Sequence, residues 1–219
     1  MPQSKTAKNN LYIYELFHGR AILPGRVFYD KIICMSNKKQ VIVMMGGPGV
    51  GKGTFSDLIM SQRPFKHVEA GAILRAMPSD SEIGKLISVG NLVPDNLVCD
   101  LMAGYMTDDN IILDGFPRTL GQAKWLVQNY AHKYDIHVLF FNADDETLIG
   151  RIKKRFHEGS VRSDDSAMQI IARRLENYHK ITMPAIEWLR SVPGISFSEI
   201  DAAGDIDNNF RDISNALGW

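Results

Sequence analysis

The 219-residue chain carries no excess of charge: 25 lysines and arginines stand against 25 aspartates and glutamates. An extended nucleic-acid surface needs a basic face, so the balance argues against a nucleic-acid partner while leaving room for one local basic site. Cysteine is scarce. Cys34 and Cys99 are the whole complement, too few for a disulfide framework, and neither belongs to a Cys-x-x-Cys pair, so no structural zinc is expected. The expected home is a reducing compartment, the cytoplasm. No apolar run approaches the roughly 20 residues of a membrane-spanning helix, and no membrane partner is expected. The first residues also lack the long apolar core and cleavage site of a secretory signal. What is present is a chain with 45% hydrophobic residues, long enough for one α/β domain with a full core.

The strongest local signal is Val41-Ile42-Val43-Met44-Met45-Gly46-Gly47-Pro48-Gly49-Val50-Gly51-Lys52-Gly53-Thr54. A buried strand stops at glycines, a lysine follows, and a helix begins. Glycines let successive backbone N–H groups turn toward one anion, the helix N-terminus adds its dipole, and Lys52 adds a charge for β- and γ-phosphates. Gly47, Gly49, Val50, Gly51, Lys52, Gly53 and Thr54 are therefore candidate triphosphate-binding residues. The usual hydroxyl directly after the lysine is replaced by Gly53, with Thr54 one place later.

A second signal is Asn110-Ile111-Ile112-Leu113-Asp114-Gly115-Phe116-Pro117-Arg118-Thr119: a strand that delivers an acid, then a turn, then an arginine. Asp114 is placed where a phosphate-binding-loop enzyme holds Mg²⁺ through water. Alternating strands and helices predict a three-layer α/β fold with a parallel sheet. Helices are expected over Thr54–Ser61, Ser79–Val89, Asp95–Met106 with Asp95 as N-cap, Gln122–His132, Asp144–Phe156 and Asp205–Leu217. Strands are expected over Phe65–Glu69, Ile136–Asn142 and Ile195–Ile200.

The Gly-x-Pro-Gly-x-Gly-Lys-Gly-Thr loop together with Asp-Gly-Phe-Pro-Arg-Thr resembles the nucleoside monophosphate kinases, and within them the adenylate kinases. The resemblance covers roughly residues 40–217. It implies a P-loop NTPase fold with a five-stranded parallel sheet, a small helical acceptor-binding subdomain at 70–98 and a short lid at 157–165. It also implies the reaction Mg·ATP + AMP ⇌ 2 ADP in a monomer. Gly71, Leu74 and Arg75 match the family's Ser/Thr-Gly-Asp-x-Leu-Arg, which makes Arg75 a clamp on the acceptor phosphate opposite Arg118. Gly90-Asn91-Leu92-Val93-Pro94-Asp95 resembles the turn whose backbone, at Leu92 and Val93, reads the acceptor base. Gly115 belongs to the same acceptor site, and Gln122 resembles the family's base-reading glutamine. Thr119 favours AMP over the pyrimidine monophosphates.

On the donor side, Arg151 is implied to lie against the adenine and Ala202 to pass near it, while Arg155, Arg162 and Arg174 close over the transferring phosphate. Lys153 and Lys154 read as a solvated face. One inserted residue leaves Arg173 and Arg174 as competing candidates; Leu175 and Tyr178 set the register in favour of Arg174. The chain departs from the family at Ala70 and Ala72, which replace a hydroxyl and a carboxylate. These leave two alternatives: a kinase for CMP or UMP, or a nucleotide-binding pseudokinase. Residues 1–39 read as an N-terminal extension of unknown role. Met35, just before the first core strand, suggests that the preceding 34 residues are an appendage from an early start codon, the other reading being a real extension packed on the domain.

Overall fold

The computed structural model describes residues 38–107, 109–157 and 168–219, the side chains of 155–157 excepted. These residues all fall in one compact unit, Ser36–Trp219. The reading of the first 34 residues, and that of most of the lid, lies outside the described residues.

Five strands form one sheet: β1 (Lys39–Gly46), β2 (Lys66–Glu69), β3 (Ile111–Asp114), β4 (Tyr134–Asn142) and β5 (Ser196–Asp201). Every pairing is parallel and the order is β2-β3-β1-β4-β5. A central parallel strand is covered on both faces, so it reads as an unbroken apolar run. In β1 the alternation of side chains sends Val41, Val43 and Met45 into one core layer and Ile42 and Met44 into the other. None of the five is more than 2% exposed.

Around the sheet lie α1 (Lys52–Gln62), α2 (Ala70–Arg75), α3 (Glu82–Ser88), α4 (Asp95–Ala103), α5 (Leu120–Tyr130), α6 (Asp145–His157), α7 (Met168–Asn177), a π-helical turn (Tyr178–Thr182), α8 (Met183–Ser191) and α9 (Ile206–Leu217). Phe55 of α1 stacks on Phe141 of β4 with ring centroids 5.0 Å apart. That contact fixes α1, and with it the loop that precedes it.

The structure corrects three sequence expectations. The helix expected from Ser79 starts only at Glu82, because Ser81 caps it by accepting a hydrogen bond from the Gly84 N–H at 3.0 Å. The helix expected to reach Met106 ends at Ala103. Asp95 is not an N-cap: it is the first residue of α4, after Pro94, and its carboxylate is turned to α5.

Two buried acids of the core favour their neutral forms. Burial pushes the Cys99 thiol up to about 11, helped by the negative charges of Asp95 and Asp100. Burial likewise pushes the Tyr178 phenol up to about 12, helped by Asp145 and Glu199. Between the unfolded and folded pKa values the folded chain holds more protons than the unfolded one, so stability falls as pH rises. The contribution is fully present below about pH 9 and is lost progressively up to about pH 12. Urea midpoints at pH 8.0 and 10.5 should show a clear drop at the higher pH, reduced in a Tyr178→Phe variant.

Candidate active site

Parallel sheets present their carboxyl ends as a shared edge, where the loops to the following helices converge. The register brings Glu69 of β2 beside Asp114 of β3, and Asp114 beside Met44 of β1. The loop after β1 and the Asp114–Arg118 turn after β3 therefore leave neighbouring strands side by side. Between them and the helices opens a cavity of about 510 Å³, lined by Gly46 and by Pro48 to Phe55, though not by Gly47, at one end and by Arg75, Leu92, Val93, Arg118 and Gln122 at the other.

At the first end, Gly49 sits at φ 82° and Gly51 at φ 104°, a region that side chains other than glycine rarely adopt. A Cβ on Gly49 would also come within 2.7 Å of Ile152 Cγ1 and 3.0 Å of the Leu148 carbonyl oxygen, both on α6. The loop is thus moulded against α6 by its glycines. The first turn of α1 carries no acid, so the positive end of the helix dipole is not offset there. Lys52 donates to the carbonyl oxygens of Gly46 at 3.0 Å and Gly47 at 3.2 Å, which holds its ammonium over the loop. Gly53 and Thr54 also line the cavity.

Arg151 reaches across 101 residues of sequence to donate to the Val50 carbonyl at 2.9 Å, and donates to the Ala202 carbonyl at 2.5 Å. It ties the loop to the segment after β5, so its guanidinium is committed to backbone oxygens at the cavity wall. Asn209, in the same wall, is only 4% exposed.

At the far end two guanidiniums meet. Arg118 donates from Nε to the Gly115 carbonyl at 3.0 Å. Arg75 donates to Glu69 Oε1 at 2.7 Å. A Cβ on Gly71 would lie 2.9 Å from Arg75 Nη1 and 3.6 Å from Arg118 Nη2, so both cations converge over Gly71. Asp114 is 6% exposed, lies at the cavity, and has Nε2 of His67 at 3.9 Å from Oδ2. A lone carboxylate fits an ion carried in on nucleotide phosphates better than a resident one. Among the described residues no group of three acidic, histidine or cysteine side chains could hold a metal.

Gln122 lines the cavity, but both ends of its amide are already engaged. Its Oε1 accepts from the Arg118 N–H at 2.8 Å, and its Nε2 donates to Asp95 Oδ1 at 2.8 Å. Arg174 borders the cavity, whereas Arg173 is exposed and donates to the Val89 carbonyl at 3.2 Å. The α7 helix also secures the Leu92 turn, since Asn177 donates to the Gly90 carbonyl at 3.0 Å. The side chain of Arg155 and all of Arg162 lie outside the described residues.

Ala70 is buried in the core and Ala72 is exposed, and neither lines the cavity. Lys154, read from sequence as part of a solvated face, is exposed and also borders the cavity. Sequence reasoning also missed Glu69, whose clue was its place one residue before the Ala70-Gly71 step.

A family model described as adenylate kinase matches residues 44–192, more than half of the 219 residues. The chain belongs to the adenylate kinase family. An adenylate kinase of Bacteroides thetaiotaomicron is 34% identical over 187 residues, covering 80% of this chain and 97% of its own length. Those of Parabacteroides distasonis and Hyphomonas neptunium are 37% and 35% identical, each over 80% of this chain and at least 96% of their own. The cavity is therefore that of a phosphotransferase family, and it runs from the β1–α1 loop to α2 and α5. Among the described residues, no helix is long and apolar enough to cross a membrane.

Proposed function

We propose that the cavity carries out reversible transfer of the γ-phosphoryl group of Mg·ATP to AMP, giving two ADP, with one nucleotide at each end. The observation that carries this reading is the single cavity that joins the phosphate-binding loop to the Arg75–Arg118 pair. Phosphoryl transfer of this class needs no covalent link to the protein; it depends on alignment and on neutralising charge in a water-poor site.

In this reading Gly47 to Thr54 and Lys52 hold the donor phosphates. Arg151 and Ala202 form the wall beside the donor base. Arg75 and Arg118 grip the acceptor phosphate, and Gly71 and Gly115 leave the backbone open to it. Leu92, Val93 and Gln122 meet the acceptor base. Arg174, with Arg155 and Arg162, covers the transferring group, where several cations around one developing anion lower the barrier. Mg²⁺ supplies further charge neutralisation on the bound triphosphate, with Asp114 holding its water. In this reading the enzyme works as a monomer, and a chain with only two cysteines suits a reducing cytoplasm.

A coupled assay of ADP formation with AMP, CMP, UMP and GMP tests the reading. AMP should be the preferred acceptor; preference for a pyrimidine monophosphate, or no turnover with any acceptor, would overturn it.

The acceptor end carries a weakness of its own. Glu69 shares Arg75 with any incoming phosphate, and Ala70 and Ala72 supply neither hydroxyl nor carboxylate. Binding of AMP should therefore be weaker than that of ATP. Glu69→Gln should tighten AMP severalfold, on the order of one charged hydrogen bond relieved, and leave ATP unaffected. Calorimetric titration of each nucleotide separately reads both; unchanged AMP affinity in that variant would remove Glu69 from the account.

A further inference from the structure

Asp95 does not itself line the cavity, yet it is bonded to Gln122, which does, and to Thr119 at the start of α5. Its Oδ2 accepts from Thr119 Oγ1 at 2.8 Å and its Oδ1 accepts from Gln122 Nε2 at 2.8 Å. Thr119 Oγ1 in turn accepts from the Gln122 N–H at 3.1 Å and caps α5. On the other side of the Gln122 amide, Oε1 accepts from the Arg118 N–H. One neighbour of this amide is therefore an obligate acceptor and the other an obligate donor.

A glutamine amide in free rotation offers N–H and C=O in either order and can pair with either type of purine edge. Here rotation by 180° would set Oε1 against a carboxylate and Nε2 against a backbone N–H, two repulsive contacts in a residue only 3% exposed. Such contacts leave buried polar groups unpaired and are costly. The amide is thereby held in one orientation. Its remaining N–H and remaining lone pair thus stand in a set order, on a residue that lines the cavity.

That order matters to a purine. A 6-amino purine presents a donor at position 6 and an acceptor at N1; a 6-oxo purine presents an acceptor at 6 and a donor at N1. An amide that cannot turn over complements one of them and opposes the other. We infer that Asp95 is a positioning residue that sets acceptor-base specificity, selecting 6-amino over 6-oxo purine monophosphates by locking the Gln122 amide. Gly121 is part of the same device: a Cβ there would collide with Asp95 Oδ2, so only glycine lets the carboxylate reach α5.

The inference rests on the reading of Gln122 as a contact to the acceptor base. AMP and inosine monophosphate differ only at position 6 and N1, so the ratio of their kcat/KM values isolates the lock. Asp95→Asn replaces the obligate acceptor by a group that can also donate, and it frees the amide to turn. Gly121→Ala displaces the carboxylate while adding a better helix former. In both variants the AMP-over-inosine-monophosphate ratio should fall on the order of tenfold or more. KM for AMP should rise, and KM for ATP should stay close to wild type. A merely structural role for Asp95 would lower all rates together and leave the ratio unchanged. An unchanged ratio overturns the inference, and Gly121→Ala decides the matter if Asp95→Asn does not fold. A wild-type enzyme with no preference between the two monophosphates would instead refute the placement of the acceptor base at Gln122.

Discussion

Lys52→Met should lower kcat by roughly 10³-fold while the protein stays folded. The Lys52 ammonium is held over the loop by the Gly46 and Gly47 carbonyls. It is the one lysine of the phosphate-binding loop itself, at the turn into α1. Methionine keeps an unbranched stem of similar length, so the packing of the loop is preserved and only the charge is lost. The two carbonyl contacts that disappear are each worth about 1 kcal/mol net, too little to unfold a domain with two buried core layers. The loss should fall on the chemical step more than on binding, because the charge that Lys52 meets grows as the phosphoryl group leaves ADP. Single-turnover measurements, set beside thermal unfolding of the same variant, separate the two effects. Turnover near that of the parent enzyme would sink the assignment, and so would a cooperative loss of the fold.

The β1–α1 loop was readable from sequence because its information is local. Strand, glycine turn, lysine and helix N-terminus occupy one stretch of fourteen residues, and each has a backbone reason for its place. Asp114 was readable for the same cause, as the last residue of a strand that is buried along its length. The parallel sheet follows from strands separated by helices, the central ones, β1, β3 and β4, being too apolar to be exposed on either face.

What sequence could not convey are contacts made across the fold. Arg151 binds the Val50 carbonyl across 101 residues, and Asp95 binds Gln122 across 27. An aspartate after a proline at the start of a helix has the local signature of a cap, and local rules assign it that role. Only the approach of α5, allowed by Gly121, gives its carboxylate a better partner. Arg173 and Arg174 are alike in sequence; they differ because successive positions on a helix lie about 100° apart, so one borders the cavity and its neighbour meets Val89. Glu69 was passed over because a glutamate at the end of a short, half-exposed strand has no distinguishing pattern. Its importance comes from the register that sets it beside Asp114 and from the Arg75 guanidinium folding back onto it.

Arg118→Ala should reduce kcat/KM for AMP by roughly 10²- to 10³-fold and leave KM for ATP within a small factor. The Arg118 guanidinium is oriented by its own turn through the Nε–Gly115 bond, and it points to the same space above Gly71 as Arg75. A planar donor fork held in this way suits phosphate oxygens, and its loss removes both charge and alignment. Arg75→Ala should cost less, although the two residues look equivalent. Arg75 is already partly neutralised by Glu69 at 2.7 Å, so less of its charge is available to the acceptor phosphate and less is lost with it. Arg173→Ala provides the control: its Nη1 bonds to the Val89 carbonyl and Asn91 are solvent-exposed, and exposed contacts of that kind are worth little. Initial rates with AMP varied at saturating ATP, and the converse, give the three values. The expected order of damage to kcat/KM for AMP is Arg118 first, then Arg75, with Arg173 close to wild type. Equal losses at Arg118 and Arg173 would mean that the cavity's acceptor end has been assigned to the wrong arginines, because Arg118 lines the cavity near Gly71 while Arg173 is exposed and does not line it.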